Sequence, residues 1–177
     1  MPTLLRAFLL FVVLGLALGG CARKQAEGAG ARGDRTGTLH CSIGSEPTDL
    51  DPHVVTGIGE AKVIHALFEP LVSFDPKTLQ PVPALAEKWD VSPDGLTYTF
   101  HLRANALWSN GEPLTAQDCV DSWRRMLTPS LAADYAYLFY LIKGAEDFNK
   151  GRIADFSAVG ITAPGAHTFV VTLVQPA

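Results

Sequence analysis

The chain has 177 residues, 47% of them hydrophobic and 18% charged, with a formal net charge of −4 at pH 7. From Gly37 onward nine basic and sixteen acidic residues leave −7, which gives a nucleic-acid partner no electrostatic support. The apolar content is globular rather than disordered, and the 141 residues after Thr36 suffice for one domain of ordinary size.

The chain opens with Met1 to Arg6, followed by twelve apolar or small residues from Ala7 to Leu18 and then Gly19-Gly20-Cys21. A bilayer-crossing helix needs about 20 residues, so this run is too short to span. Residues 1–20 read as a signal peptide. Leu18-Gly19-Gly20-Cys21 resembles the bacterial lipobox, whose cysteine sulfur receives diacylglycerol. Lipidation at Cys21 would put three acyl chains in the membrane, and two or more such anchors hold stably. The alternative is an ordinary secretory cleavage site beside a chance cysteine. Residues 22–36 are rich in Gly and Ala and lack large apolar side chains, so they cannot bury a core. Residues 21–36 are therefore expected to form a lipidated flexible tether, with a reach of roughly 20 Å as a coil. Arg23, Lys24, Arg32 and Arg35 leave it a net +2, suited to loose attraction to anionic headgroups or simply to solubility.

In the folded part, Leu39, Cys41 and Ile43 alternate with polar neighbours and predict a half-buried strand over 38–44. Ser45 to Pro52 carries two prolines and two aspartates and predicts a shaped loop. After Gly57-Ile58-Gly59, residues 60–68 place Val63, Ile64, Leu67 and Phe68 on one helical stripe, ended by Pro70. Trp89 and Val91, then Leu96, Tyr98, Phe100 and Leu102, alternate around Ser92-Pro93-Asp94-Gly95 and predict a hairpin. A turn at Ser109-Asn110-Gly111 precedes Thr115-Ala-Gln-Asp118, a capping-box start for a helix with the stripe Cys119, Val120, Trp123, Met126 and Leu127. Leu138 to Phe148 predicts a further helical stretch weakened at Lys143-Gly144. Residues 159–162 and 167–174 predict a second hairpin around Pro164-Gly165.

Little in the sequence points to catalysis. His40, His53, His65, His101 and His167 are scattered, and no paired Cys/His spacing suggests a metal site. No serine sits in a Gly-x-Ser-x-Gly elbow. Cys41 and Cys119 read as two small buried hydrophobes, with a disulfide open in an oxidising compartment. Gly57-Ile58-Gly59 lacks the rest of a phosphate-cradling pattern. Its simple reading is a turn, but such a turn also leaves backbone groups free for an extended ligand. In the aromatic run Tyr135, Tyr137, Phe139 and Tyr140, Tyr135 precedes the helical stretch, where a phenol can point into a cleft.

Glu46-Pro-Thr-Asp-Leu-Asp-Pro-His53, Leu67-Phe-Glu-Pro-Leu71, Pro83-Ala-Leu-Ala-Glu-Lys-Trp89, Asp94 to Arg103 and Trp108 to Arg125 together resemble, in order, the signatures of the oligopeptide-binding proteins of bacterial ABC importers. The resemblance runs from about Leu39 to Pro176. It implies an α/β, bilobal periplasmic-binding-protein-like fold (type II), in which two lobes close over an extended peptide whose backbone pairs with the protein as an added strand would. It implies that residues 37–69 are the first segment of the main ligand-binding lobe and that 70–177 form a smaller inserted α+β lobe. Ligand contacts map to Thr56, Gly57 and Ile58, and to Tyr135. Family chains are roughly three times as long, and the acidic residue that holds the peptide amino terminus has no counterpart here, so 37–177 alone are expected not to bind peptide.

The reading that follows is a non-enzymatic capture protein with no cofactor. Its partners would be a peptide ligand, an ABC importer permease and, through Cys21, a membrane; it is expected to be a monomer in the periplasm or at the cell surface. Alternatives keep the fold with dipeptides, nickel complexes, haem or sugars as cargo, or make it an anchored interaction lipoprotein.

Overall fold

The computed structural model describes Gly37 and residues 40–177. The signal peptide, the lipidation site Cys21, the tether and Leu39 lie outside the described residues. The chain divides into two compact units, Met1–Ser42 and Ile43–Ala177; of the first, His40 to Ser42 carry no regular structure.

The expected strand around Cys41 and Ile43 does not form: residues 40–43 are irregular. Alternation only prepares a segment for pairing, and a strand exists through the ladder with a neighbour. None of the described strands pairs with this segment. Cys41 is consequently exposed instead of buried.

Helix α1 (Ile58–Leu67) begins two residues before the expected start and takes in Ile58 and Gly59. None of its residues is buried. Val63 and Ile64 are half-covered, while Leu67 and Phe68 remain 64% and 45% exposed. Strands β1 (Val72–Phe74) and β2 (Pro81–Pro83) form a small antiparallel ribbon. Its turn is shaped by Asp75, whose Oδ1 accepts hydrogen bonds from the backbone N–H groups of Lys77 and Thr78.

Strands β3 (Ala86–Val91) and β4 (Thr97–Leu102) form the expected hairpin, with Trp89 opposite Phe100 and Val91 opposite Tyr98. Gly95 occupies φ +71° in its turn, a left-handed position that suits glycine. Asp94 fixes the same turn by accepting from Ser92 Oγ and the Leu96 N–H.

Helix α2 (Ala116–Leu127) starts as the capping box predicts: the Asp118 carboxylate accepts from both the backbone N–H and the hydroxyl of Thr115, at 2.7 and 2.8 Å. Its apolar stripe buries Val120, Met126 and Leu127. The expected helical stretch over 138–148 breaks into a 3-10 turn at Ala136–Phe139 and a short helix α3 (Ala145–Asn149), because Gly144 sits at φ +72° between them. Strands β5 (Ile161–Gly165) and β6 (Thr168–Thr172) make the second hairpin, with Pro164 and Gly165 inside β5 and the turn moved to Ala166-His167.

The four longer strands form one antiparallel sheet in the order β3-β4-β6-β5. Helix α2 packs on it through Trp123, which meets Phe169 edge-on at 5.0 Å and Phe139 edge-on at 4.9 Å. Phe169 is fully buried at the centre of this core, with Leu127 and Val159 equally enclosed. Edge-to-face contacts of this kind match the positive rim of one ring to the negative face of another.

Candidate functional site

The segment between Asp51 and Val55 is fastened to α2 by a small polar network. Asp51 first shapes its own turn: its Oδ1 accepts the His53 N–H at 3.0 Å, and its carbonyl accepts the N–H groups of Val54 and Val55. Arg125, near the end of α2, then donates from Nη1 to Asp51 Oδ1 at 2.8 Å and from Nη2 to Oδ2 at 2.5 Å. Two parallel bonds of this geometry are what the planar guanidinium offers a carboxylate. They hold the Asp51 carboxyl well below its ordinary 3.8, at about 2.

His53 completes the network. Arg125 Nη1 also donates to His53 Nδ1 at 2.7 Å, so Nδ1 accepts and Nε2 carries the proton, which reaches Ser122 Oγ at 3.1 Å. Burial lowers the His53 pKa and the Arg125 charge lowers it further, against the opposing pull of Asp51. The imidazole is thus held neutral, in the tautomer that bridges the loop to the helix.

Thr56, Gly57 and Ile58 follow directly and lead into α1. Gly57 is the N-cap, with φ −82° and ψ 148°. That is ordinary extended backbone that any residue can adopt, and what a side chain here would meet is the carboxylate of Glu60. A Cβ on Gly57 would stand 2.0 Å from Glu60 Oε2. The Glu60 carboxylate folds over the head of the helix and accepts the Thr48 N–H and hydroxyl at 3.2 and 3.4 Å. Thr56 is exposed and Ile58 is 80% exposed, so the apolar side chain that opens the helix lies uncovered.

Tyr135 stands in the turn between two 3-10 segments, Pro129–Leu131 and Ala136–Phe139. It is 41% exposed, and its ring meets that of Tyr137 at 6.3 Å. The other aromatic residues of the run are used structurally: Phe139 packs on Trp123, and the Tyr140 hydroxyl donates to Asn149 Oδ1 at 2.7 Å. Thr56, Gly57 and Ile58 are thus joined by continuity of the chain, whereas Tyr135 is held separately, through Ala133 and Ala136 packed against Met126. Both groups depend on the C-terminal half of α2, the first through Ser122 and Arg125 and the second through Met126. Between these supports an open groove of about 450 Å³ is lined by Asp121, Arg124, Arg125, Thr128, Ser130 and Leu131.

Sequence reasoning missed Asp51, His53, Ser122 and Arg125 as partners. Nothing in their spacing could announce a bond across 74 residues, although the two motifs that contain them were both visible. Among the described residues no cluster of His, Cys, Asp and Glu could hold a metal ion. His65 bonds the Ala61 carbonyl and His101 bonds Asp90, each apart from the other.

Solved structures give the class. The crystal structure of Haemophilus influenzae OppA complexed with RPPGFSPFR superposes with a TM-score of 0.72 at 40% identity, covering 77% of this chain and 26% of that one. The fold is that of a segment of a periplasmic solute-binding protein. Residues 80–177, more than half the chain, match the family model described as "Bacterial extracellular solute-binding proteins, family 5 Middle", and the chain belongs to that family. It is 40% identical over 171 residues to the periplasmic oligopeptide-binding protein OppA of H. influenzae, covering 95% of this chain and 31% of the relative. It is 37% identical over 174 residues to the dipeptide-binding protein DppE of Bacillus subtilis, covering 92% and 32%. The chain spans about a third of the length of these curated relatives.

Proposed function

We propose that the protein captures oligopeptides outside the cytoplasm and delivers them to the permease of an ABC importer. The observation that carries this reading is the continuous 40% identity to a relative named as an oligopeptide-binding protein, over 95% of this chain. In this reading residues 37–69 begin the main lobe and 70–177 form the smaller lobe. Thr56, Gly57, Ile58 and Tyr135 meet the peptide, and Cys21 carries the lipid that keeps the monomeric protein near its importer. The extended backbone at Gly57, with Thr56 and Ile58 exposed beside it, supports contact with a ligand that bonds through its own main chain. Lobe closure over the peptide would present the loaded form to the permease.

A shorter cargo is the second reading, favoured by the 37% identity to a dipeptide-binding protein. Native mass spectrometry of the whole mature protein purified from its own cells tests both. A heterogeneous set of peptides several residues long supports the first, dipeptides alone support the second, and a single non-peptide species overturns both.

A further inference from the structure

Glu60 occupies the third position of α1, where an acid is usually read only as a favourable charge at the positive end of a helix. Its geometry does more. The Oε1 atom accepts the Thr48 N–H at 3.2 Å and the Thr48 hydroxyl at 3.4 Å, twelve residues earlier in the chain. The rest of the carboxylate lies across Gly57: a Cβ built there would be 2.0 Å from Oε2, 2.8 Å from Cδ and 3.3 Å from Oε1. Gly57 in turn gives its carbonyl to the Ala61 N–H at 3.0 Å. One side chain therefore binds the 46–53 turn and roofs the residue at the centre of the Thr56–Ile58 segment, and the missing side chain of Gly57 is the space it fills.

Building on the peptide-capture reading, we propose that Glu60 is a positioning residue that keeps Gly57 in the extended shape that sets Thr56 on one side and the helix-opening Ile58 on the other against a peptide backbone. Without it Gly57 is free to sample the many conformations open to glycine, and only the competent fraction binds.

The test compares whole mature wild-type protein with Glu60→Ala and Glu60→Gln. Calorimetry with short peptides, RPPGFSPFR among them, is paired with amide exchange of residues 56–59 in the ligand-free protein. Glu60→Ala is expected to weaken binding by about tenfold through the smaller competent fraction, and to speed exchange at 56–59. Glu60→Gln keeps an oxygen for the Thr48 N–H and is expected to stay within about threefold of wild type in both readouts. Equal binding and equal exchange in wild type and Glu60→Ala overturn the proposal, as does a Gln variant as impaired as the Ala variant. If wild type binds no peptide, the capture reading and the role assigned to Glu60 within it both fail. If wild type binds and the Ala variant matches it in binding and exchange, the capture reading stands and the role of Glu60 is rejected.

Discussion

Arg125 grips both carboxylate oxygens of Asp51, 74 residues earlier in the chain, and with the same Nη1 reaches His53. The loop that leads to Thr56–Ile58 is thereby set on α2, a helix whose other face builds the core.

Removing the guanidinium should release that loop before it disturbs the sheet. Arg125→Ala and Asp51→Asn are each expected to raise amide exchange over residues 51–58 by about fivefold, since partly exposed pairs contribute modestly, with exchange in β4 and β6 unchanged. Arg125→Lys, which cannot form both parallel bonds, should fall between. Hydrogen-exchange mass spectrometry reads all three.

The same network responds to pH. His53 has a folded pKa below its ordinary 6.5, so as pH falls the unfolded chain takes up this proton first. The contribution is full above 6.5 and is lost as pH falls through 6.5 towards the lowered folded value. Asp51, held at about 2, stays ionised through that window and loses its contribution only as pH falls from 3.8 to about 2. Protection of the amides at residues 51–55, taken relative to the intrinsic exchange rate at each pH, is expected to fall as pH drops below 6.5, and His53→Gln to flatten the profile.

Where the sequence could be read, local chemistry decided the outcome. The β3–β4 hairpin follows from alternation around Asp94-Gly95, and α2 follows from Thr115, Asp118 and its stripe. Each needs only neighbours a few residues away. The segment around Cys41 failed because its alternation presupposes a strand to pair with. Likewise Leu67 and Phe68 sit on a helix stripe, yet remain exposed. The Asp51–Arg125 bond and the roof of Glu60 over Gly57 were illegible for a different reason, since they are side-chain contacts created only when distant turns are brought together.

Both described cysteines are free, but in different surroundings. Burial, aided by the charge of Asp118, pushes the Cys119 thiol up to about 11, so little thiolate exists to react. In a Cys21→Ser form, maleimide near neutral pH is expected to modify exposed Cys41 rapidly and Cys119 only on unfolding. Peptide mapping by mass spectrometry checks the order, and equal labelling rates would contradict it.

Phe169 has no exposed surface and touches rings on both β4 and α2: Phe100 at 6.1 Å and Trp123 at 5.0 Å. Phe169→Ala should cost about 3–5 kcal/mol, measured by denaturant unfolding. The loss of the Trp123 contact should also change its fluorescence.

Tyr135 is expected to separate binding from stability. Its ring is 41% exposed and meets only Tyr137 among the ring contacts of the described residues. Tyr135→Ala should leave the unfolding midpoint nearly unchanged while weakening peptide affinity by about tenfold, the scale of one lost aromatic contact. Calorimetry on the whole mature protein measures it.

The strand order β3-β4-β6-β5 also joins pairings of very different sequence range. The outer pair β3 and β4 closes through a turn of a few residues, but His101 of β4 faces Thr168 of β6, 67 positions later. Loop closure over that distance carries an entropic cost that must be met before the central ladder rewards it. The β3–β4 hairpin is thus a local pairing, whereas the middle of the sheet depends on a strand far along the chain, whose Phe169 stands between Phe100 and Trp123.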